Sequence, residues 1–280
     1  MDSTQKAILE LMDQRTTLRS FSERPVEPEL EELIIKMALR APTASNMMYY
    51  SVITIHDKEL QRALQKTCNN QPYISQAPCM LVFCADYQRL YDFYEYGNVP
   101  EKCRELERIY LYPSEKNMLL CTEDAVLAAE NAVLAAQALG MGSCFIGHIM
   151  DHCEIHRQLF NLPPLVFPVL ALLIGYPPDN YKPVRRPRFE QTYIVHENTY
   201  HRLTKEELDG MYGTRFHFVP ENRYKANNAA QQLYLSKYAS SECYAEGVRS
   251  VKKAFENWRG EPVMEEEYSQ YKEARKDGRR

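Results

Sequence analysis

The sequence predicts an α/β or α+β domain, and three stretches carry that prediction. Cys79 to Ala85 (CMLVFCA) is a continuous apolar run, as expected of a central strand covered on both faces. Val166 to Ile174 reads as a second buried strand. Between them, Cys121 to Gly147 (CTEDAVLAAENAVLAAQALGMGSCFIG) reads as a long helix feeding a short, glycine-ended strand. Strands interleaved with helices lead to one of the two mixed classes.

The elements follow in order. Residues 4 to 14 form an amphipathic helix with Ala7, Ile8, Leu11 and Met12 inward, and it delivers Arg15-Thr16-Thr17-Leu18-Arg19. Pro25 and Pro28 punctuate the chain before a second helix, Glu29 to Arg40, with Leu30, Leu33, Ile34, Met37 and Ala38 on one face. Ala41 to Asn46 is a loop of small residues, Ser51 to Ile55 alternates as a strand, and Lys58 to Lys66 is a short helix. Residues 87–117 form an insertion that mixes Tyr87, Tyr91, Phe93, Tyr94, Tyr96, Tyr110 and Tyr112 with charges. Such an insertion either covers a cleft or serves as solvent-facing scaffolding.

The long helix is apolar on nearly every side, as a helix enclosed by its own protein would be. Thr122 is its expected N-cap, with Glu123 and Asp124 in the first turn, where the helix dipole favours acids. Alanines at 125, 128, 129, 132, 135, 136 and 138 let neighbouring backbones approach closely. Gly140 stands where a left-handed C-cap is expected. Ser143 to Gly147 is then a buried strand that leaves main-chain N–H groups near the protein's centre. Asp151 reads as the cap of a helix from Glu154 to Phe160. Beyond Tyr176-Pro177-Pro178 comes a basic extended run, Lys182 to Arg188. Polar helices follow at Lys205 to Met211, Ala229 to Tyr238 and Tyr244 to Trp258, and a charged tail closes the chain.

With 280 residues the chain can bury a sizeable core. Its net charge of −4 argues against a nucleic-acid partner, which would require many phosphates to be neutralised. The start is charged and amphipathic rather than secretory, and the most apolar run, Leu165 to Tyr176, is too short to span a bilayer. Eight cysteines without a CxxC pair read as reduced, mostly buried thiols of a cytoplasmic protein.

Gly140-Met141-Gly142 with Gly147 has the wrong spacing, and the wrong order of helix and strand, for a dinucleotide fingerprint. His148, His152 and His156 are spaced as ligands on one helix face would be, yet no second ligand cluster accompanies them. They read as partly exposed helix histidines, and no metal site is expected. Arg15-Thr16-Thr17-Leu18-Arg19 offers guanidinium and hydroxyl donors that match a phosphate dianion, or else plain surface charge. Arg185-Arg186-Pro187-Arg188, by itself, reads as a solvated linker.

Six stretches then occur in register: RTTLRSF, APTASNMMYYSVITIHD, NNQPYISQAP, LVFCAD, ENAVLAAQALGMGSCFIG and IGYPPDNYKPVRRPRF. Together they resemble the FMN-dependent nitroreductase superfamily, in particular its NADPH-type nitroreductase and flavin reductase branch. The likeness covers about residues 5 to 200. It implies an α+β fold, with a central, mostly antiparallel sheet flanked by helices, in a domain-entwined homodimer with two FMN sites at the subunit interface. Residues 1–200 would form the FMN-binding domain, and 201–280 a helical C-terminal extension.

The resemblance also implies roles for individual residues. Arg15, Thr16, Thr17 and Arg19 would hold the FMN phosphate and ribityl chain, with Arg186 and Arg188 closing from the later segment. Ser45, Asn46 and Met47 would come from the partner subunit, and Gln71 would meet the ring's polar edge. Cys144, Phe145, Ile146 and Gly147 would line one face of the ring. Met48 stands where the family often has glutamine, and Thr16 where it often has arginine or histidine. The implied activity moves two electrons from NADPH, or NADH, through FMN to nitroaromatic, quinone or flavin acceptors. No catalytic side chain is needed, because the flavin carries the chemistry. The same scaffold also admits reductive dehalogenation, or a non-catalytic FMN sensor or carrier.

Overall fold

The structure, a computed structural model, describes residues 1–239 and 241–259. Its first half contains α1 (Ser3–Asp13), α2 (Pro28–Ala38), β1 (Tyr50–Thr54), α3 (Lys58–Thr67), α4 (Tyr73–Gln76), β2 (Cys79–Asp86), α5 (Gln88–Tyr96), α6 (Val99–Glu105) and α7 (Glu115–Ala138). Then come β3 (Gly142–Ile146), α8 (Cys153–Leu159), β4 (Val166–Gly175), α9 (Lys205–Gly213), α10 (Ala229–Lys237) and α11 (Glu242–Glu256). The charged tail expected at the C-terminus lies outside the described residues. Among those described, no helix is long and apolar enough to cross a membrane.

The four strands pair antiparallel in the order β1-β2-β4-β3, so the fold is α+β. Every residue of β2 is buried, as its unbroken apolar run requires of an interior strand. Pro168 is accommodated in β4 at a register shift beside Phe83 and Cys84, where the ladder is already irregular. Alternation along the strands makes two cores. Leu81, Phe83 and Ala85 face α7 and α2, while Met80, Val82 and Cys84 face Leu64, Ile74 and Ile149 on the other side.

α7 packs across all four strands and is the axis of the first core. It starts eight residues earlier than Thr122 would place it: Ser114 is the N-cap, in a capping box with Asn117. Thr122 sits inside the helix, its hydroxyl donating to the Met118 carbonyl at 2.8 Å. The C-terminus is as expected. Gly140 has φ +77°, the Gly140 N–H donates to Gln137 O at 3.0 Å and the Met141 N–H to Ala136 O at 2.9 Å, which is a Schellman motif. Ala125, Ala128, Ala129, Ala132 and Ala136 are fully buried against the sheet.

Among the described residues, nothing encloses α7 on its outer side. Leu119, Val126 and Leu127 are exposed, and no residue of α1 is buried: Ile8 and Met12, expected inward, are 55% and 53% exposed. These apolar side chains have periodicity without cover.

Three further local readings change. Asp151 does not cap α8; His152, at φ 48°, is the N-cap residue, and Asp151 Oδ2 lies 2.8 Å from His148 Nδ1. His156 is not partly exposed but fully buried, with Nδ1 donating to Ile149 O and Nε2 meeting Thr67 Oγ1, both at 2.8 Å. The insertion forms α5, α6 and the start of α7. Its Tyr87 ring stacks on Tyr49 at 5.6 Å and 9°, whereas Phe93 and Tyr96 are exposed.

The chain divides into two compact units. One comprises residues 1–183 and 247–259; the other is Val184–Glu246. In the first, the later part of α11 buries Ser250 and Ala254, and Trp258 follows it into the core. The Ser250 hydroxyl accepts from the Cys153 N–H at 3.1 Å, and Arg249 grips Glu154 through two bonds of 2.8 Å. In the second, α9 begins with a Thr204/Glu207 capping box.

Candidate functional site

The segment after α1 is laid along the edge of the sheet. Thr17 bridges Ser143 in parallel fashion, and the Leu18 N–H donates to Ser143 O at 2.9 Å. Leu18 is buried, and it fits only because residue 142 is glycine: a Cβ there would stand 2.6 Å from Leu18 Cδ2. With Leu18 fixed inward, Arg19 remains at the surface and Arg15 half-buried. Tyr181 donates its hydroxyl to Thr17 O at 3.3 Å, tying in the far side of the same segment.

Arg19 is the centre of a small cluster. Its guanidinium lies 6.0 Å from the Tyr73 ring centroid and beside the Cys144 thiol. Burial pushes that thiol's pKa up, and the Arg19 charge partly offsets the push. Tyr73 donates its hydroxyl to Gln71 Oε1, and Gln71 Nε2 donates to Cys68 O at 2.9 Å. The structure thus brings Arg19, Gln71 and Cys144 together, and adds Tyr73.

Along β3 the alternation decides which residues can face a ligand. Cys144 and Ile146 point into the second core, while Phe145 is 37% exposed. At Gly147 an added Cβ would meet nothing within 4 Å. So the side chain offered here is that of Phe145, with the Gly147 backbone open two residues on. An edge strand with an exposed aromatic, an open backbone at its end and two arginines alongside fits a flat, anionic ligand such as FMN.

The loop before β1 lies elsewhere. Asp124, in α7 and 2% exposed, accepts from the Ala44 N–H at 3.0 Å, the Tyr49 N–H at 3.1 Å and the Thr43 hydroxyl. Thr43 Oγ1 in turn accepts from the Met48 N–H at 2.8 Å. Ser45, Asn46 and Met48 all have φ between 52° and 58°, a left-handed conformation uncommon outside glycine. Ser45, Asn46 and Met47 are exposed. Register sets the separation. Tyr50 is level with Ala85 and Phe167 at one end of β4, and Ser143 with Ile174 at the other, on the opposite edge of the sheet. At about 3.3 Å per residue and about 4.8 Å per strand, Tyr50 and Ser143 are roughly 25 Å apart. One chain does not bring its Ser45–Met47 to its own Arg15–Arg19.

Arg186 and Arg188 are exposed in the second unit. Arg188 lines a cavity of about 130 Å³ with Phe189, Tyr193 and Arg215, and the Arg215 guanidinium lies 4.4 Å over the Phe189 ring.

Asp124, Arg89 and Tyr73 escaped the sequence reading. Asp124 had a signal: it is a charge flanked at helical spacing by Cys121, Ala125 and Ala128, all buried, which marks an acid facing inward.

The chain is similar to known proteins in sequence and in fold. The FMN reductase (NAD(P)H) of Bacillus subtilis strain 168 is 32% identical over 207 residues, 72% of this chain and 77% of its own. The NADPH-dependent oxidoreductase of Staphylococcus aureus strain USA300 is 27% identical over 194 residues, 69% of this chain and 74% of its own. The solved structure of Bacillus megaterium NfrA2 superposes with a TM-score of 0.73 at 26% identity, covering 88% of this chain and 96% of that one. The model of the nitroreductase family matches residues 12–176, which hold the Arg15–Arg19 segment, the loop before β1, the four strands and α7; this chain belongs to that family.

Proposed function

We infer that the protein is an FMN-dependent oxidoreductase driven by NAD(P)H, a nitroreductase or flavin reductase working by a ping-pong cycle. The observation that carries the residue assignments is the β3 edge: the Arg15–Arg19 segment bridged to Ser143, with an exposed Phe145 and an open Gly147 backbone further along the strand. When bound, FMN supplies the chemistry, taking a hydride from NAD(P)H and passing two electrons to an acceptor. The chain's own residues bind and orient it. Arg15 and Arg19, with the Thr16 and Thr17 hydroxyls, would hold the phosphate and ribityl chain by charge-assisted bonds. Gln71 would address the ring's polar edge, Phe145 would pack on its face, and the Gly147 backbone would let it approach.

We further propose a homodimer in which Ser45, Asn46 and Met47 reach the partner's site. Two observations support it: the roughly 25 Å between the two halves of the site in one chain, and the uncovered apolar faces of α1 and α7. Acceptors are nitroaromatics, quinones or flavins, and NADPH is favoured over NADH. We place the protein in the cytoplasm, where its buried thiols would stay reduced.

The test is direct. The purified protein should be yellow, lose its visible flavin absorbance on adding NADPH, and recover it with an electron acceptor. Slow or absent bleaching by both nicotinamides would instead mark a carrier or sensor. Sedimentation should show a dimer; a stable, FMN-replete monomer at micromolar concentration would refute the shared site.

A further inference from the structure

We propose that Asp124 and Arg89 are positioning residues for the flavin site: together they lock the 43–50 loop so that Ser45 and Asn46 are presented, already ordered, to the FMN of the partner subunit. The proposal rests on the shared-site reading above and goes beyond it to the residues that shape the loop.

The loop is held at its base and free at its tip. Three non-glycine residues, Ser45, Asn46 and Met48, are left-handed, a conformation that persists only where the surroundings over-determine it. The surroundings here carry opposite charges on two different elements. From α7, the buried Asp124 carboxylate gathers N–H groups of Ala44 and Tyr49 and the Thr43 hydroxyl, so both ends of the loop close on one group. From α5, Arg89 Nη2 donates to Met48 O at 2.6 Å and Tyr50 O at 2.7 Å. Its Nε is fixed by Asp86 at 2.9 Å, and Asp86 also accepts from the Ser51 hydroxyl.

An acid that collects N–H groups and a base that collects carbonyls divide the loop's backbone between them. At the tip, among the described residues, the Ser45 and Asn46 side chains make no hydrogen bond. Polar side chains left unpaired on a strained, fastened backbone are arranged for a ligand outside the chain, and fixing them in advance lowers the ordering cost of binding. Because Arg89 belongs to the first helix of the aromatic insertion, and Tyr87 beside it stacks on Tyr49, the insertion and the loop form one unit. A substitution that shifts α5 will therefore register at the flavin.

The test is a cycle of FMN affinities, measured by quenching of flavin fluorescence on apoprotein, for wild type, Asn46→Ala, Asp124→Asn and the double variant. Asp124→Asn keeps the size and one acceptor oxygen but loses the other. Each single change is expected to weaken FMN binding about tenfold, and the double variant to be little worse than the weaker single, because both remove the same contact. A merely structural Asp124 would give losses that multiply. Arg89→Met, made together with Asp86→Asn so that no buried carboxylate loses its partner, should reproduce the loss and supplies the same reading should Asp124→Asn not fold. Wild-type affinity in both Asp124→Asn and the Asp86→Asn/Arg89→Met variant, or multiplying losses, overturns the clamp. Wild-type affinity in Asn46→Ala removes the shared-site reading and the clamp with it. A weakened Asn46→Ala beside an unaffected Asp124→Asn and Asp86→Asn/Arg89→Met overturns the clamp alone.

Discussion

Leu18 occupies the space that a side chain on Gly142 would need. A Cβ at 142 would stand 2.6 Å from Leu18 Cδ2 and 2.7 Å from Leu18 Cβ, so the clash reaches the root of the side chain and a rotamer change cannot relieve it. Gly142→Ala should therefore push the Arg15–Arg19 segment off the edge of β3. Overpacking of this kind costs about 1–3 kcal/mol. A lower thermal midpoint together with weaker FMN binding is expected; an unchanged affinity would separate the segment from the flavin.

Much of this was legible in the sequence, and what was not shares a cause. The apolar runs of β2 and β4, the left-handed Gly140 and the strand after it follow from local pattern, and each stands where that pattern puts it. Thr122 and Asp151 have the right side chains for caps, but the helix of Thr122 begins two turns earlier, at Ser114, and the backbone turns left-handed one residue after Asp151, at His152. The apolar neighbours of Asp124 mark it as an acid facing inward, but not what it meets there. Its true partners, Thr43 to Tyr49, are distant in the chain, and no local rule reaches that far. The same is true of His156, whose ring partner Thr67 is 89 residues away in the chain. The positions of Arg15–Arg19 and Ser45–Met47 at opposite edges of the sheet depend on strand order, which periodicity does not encode.

Arg19→Ala tests the phosphate assignment. Removing a charge-assisted hydrogen bond costs about 1.5–3 kcal/mol, so FMN affinity should fall roughly ten- to hundredfold. Equilibrium titration of the apoprotein reads it directly. Undiminished affinity would move the phosphate elsewhere.

His156 should make stability pH-dependent. Burial holds its pKa below that of an ordinary imidazole, outweighing the Ile149 carbonyl bond, which favours the charged form. The neutral form is thus preferred in the fold, and below about pH 6.5 the unfolded chain binds the extra proton. Its contribution is complete above that pH and is lost as pH falls toward the folded-state pKa, with a slope of at most about 1.4 kcal/mol per unit. Urea unfolding at pH 7.5 and 5.5 should show wild type losing more stability on acidification than His156→Gln. Equal losses would assign the effect to other groups.

We propose Arg223 as the reader of the NADPH 2′-phosphate. Its guanidinium is exposed and lies 4.7 Å over the Tyr224 ring, which leaves its charge available to an anion. Arg223→Ala should raise KM for NADPH and leave that for NADH nearly unchanged. Equal loss with both nicotinamides would indicate a structural role, and a wild type indifferent to the two would end the assignment.

The opposite placement of β1 and β3 has a genetic consequence. In the proposed dimer each flavin takes its arginines from one protomer and its Ser45–Asn46 loop from the other. A protomer carrying Arg19→Ala and one carrying Asn46→Ala are each impaired as a pure dimer. Mixed together, they pair both lesions in a single site and leave the other site wholly wild type. Two defective alleles would then complement within the dimer, restoring up to half of normal activity, while two lesions on one edge of the sheet would not.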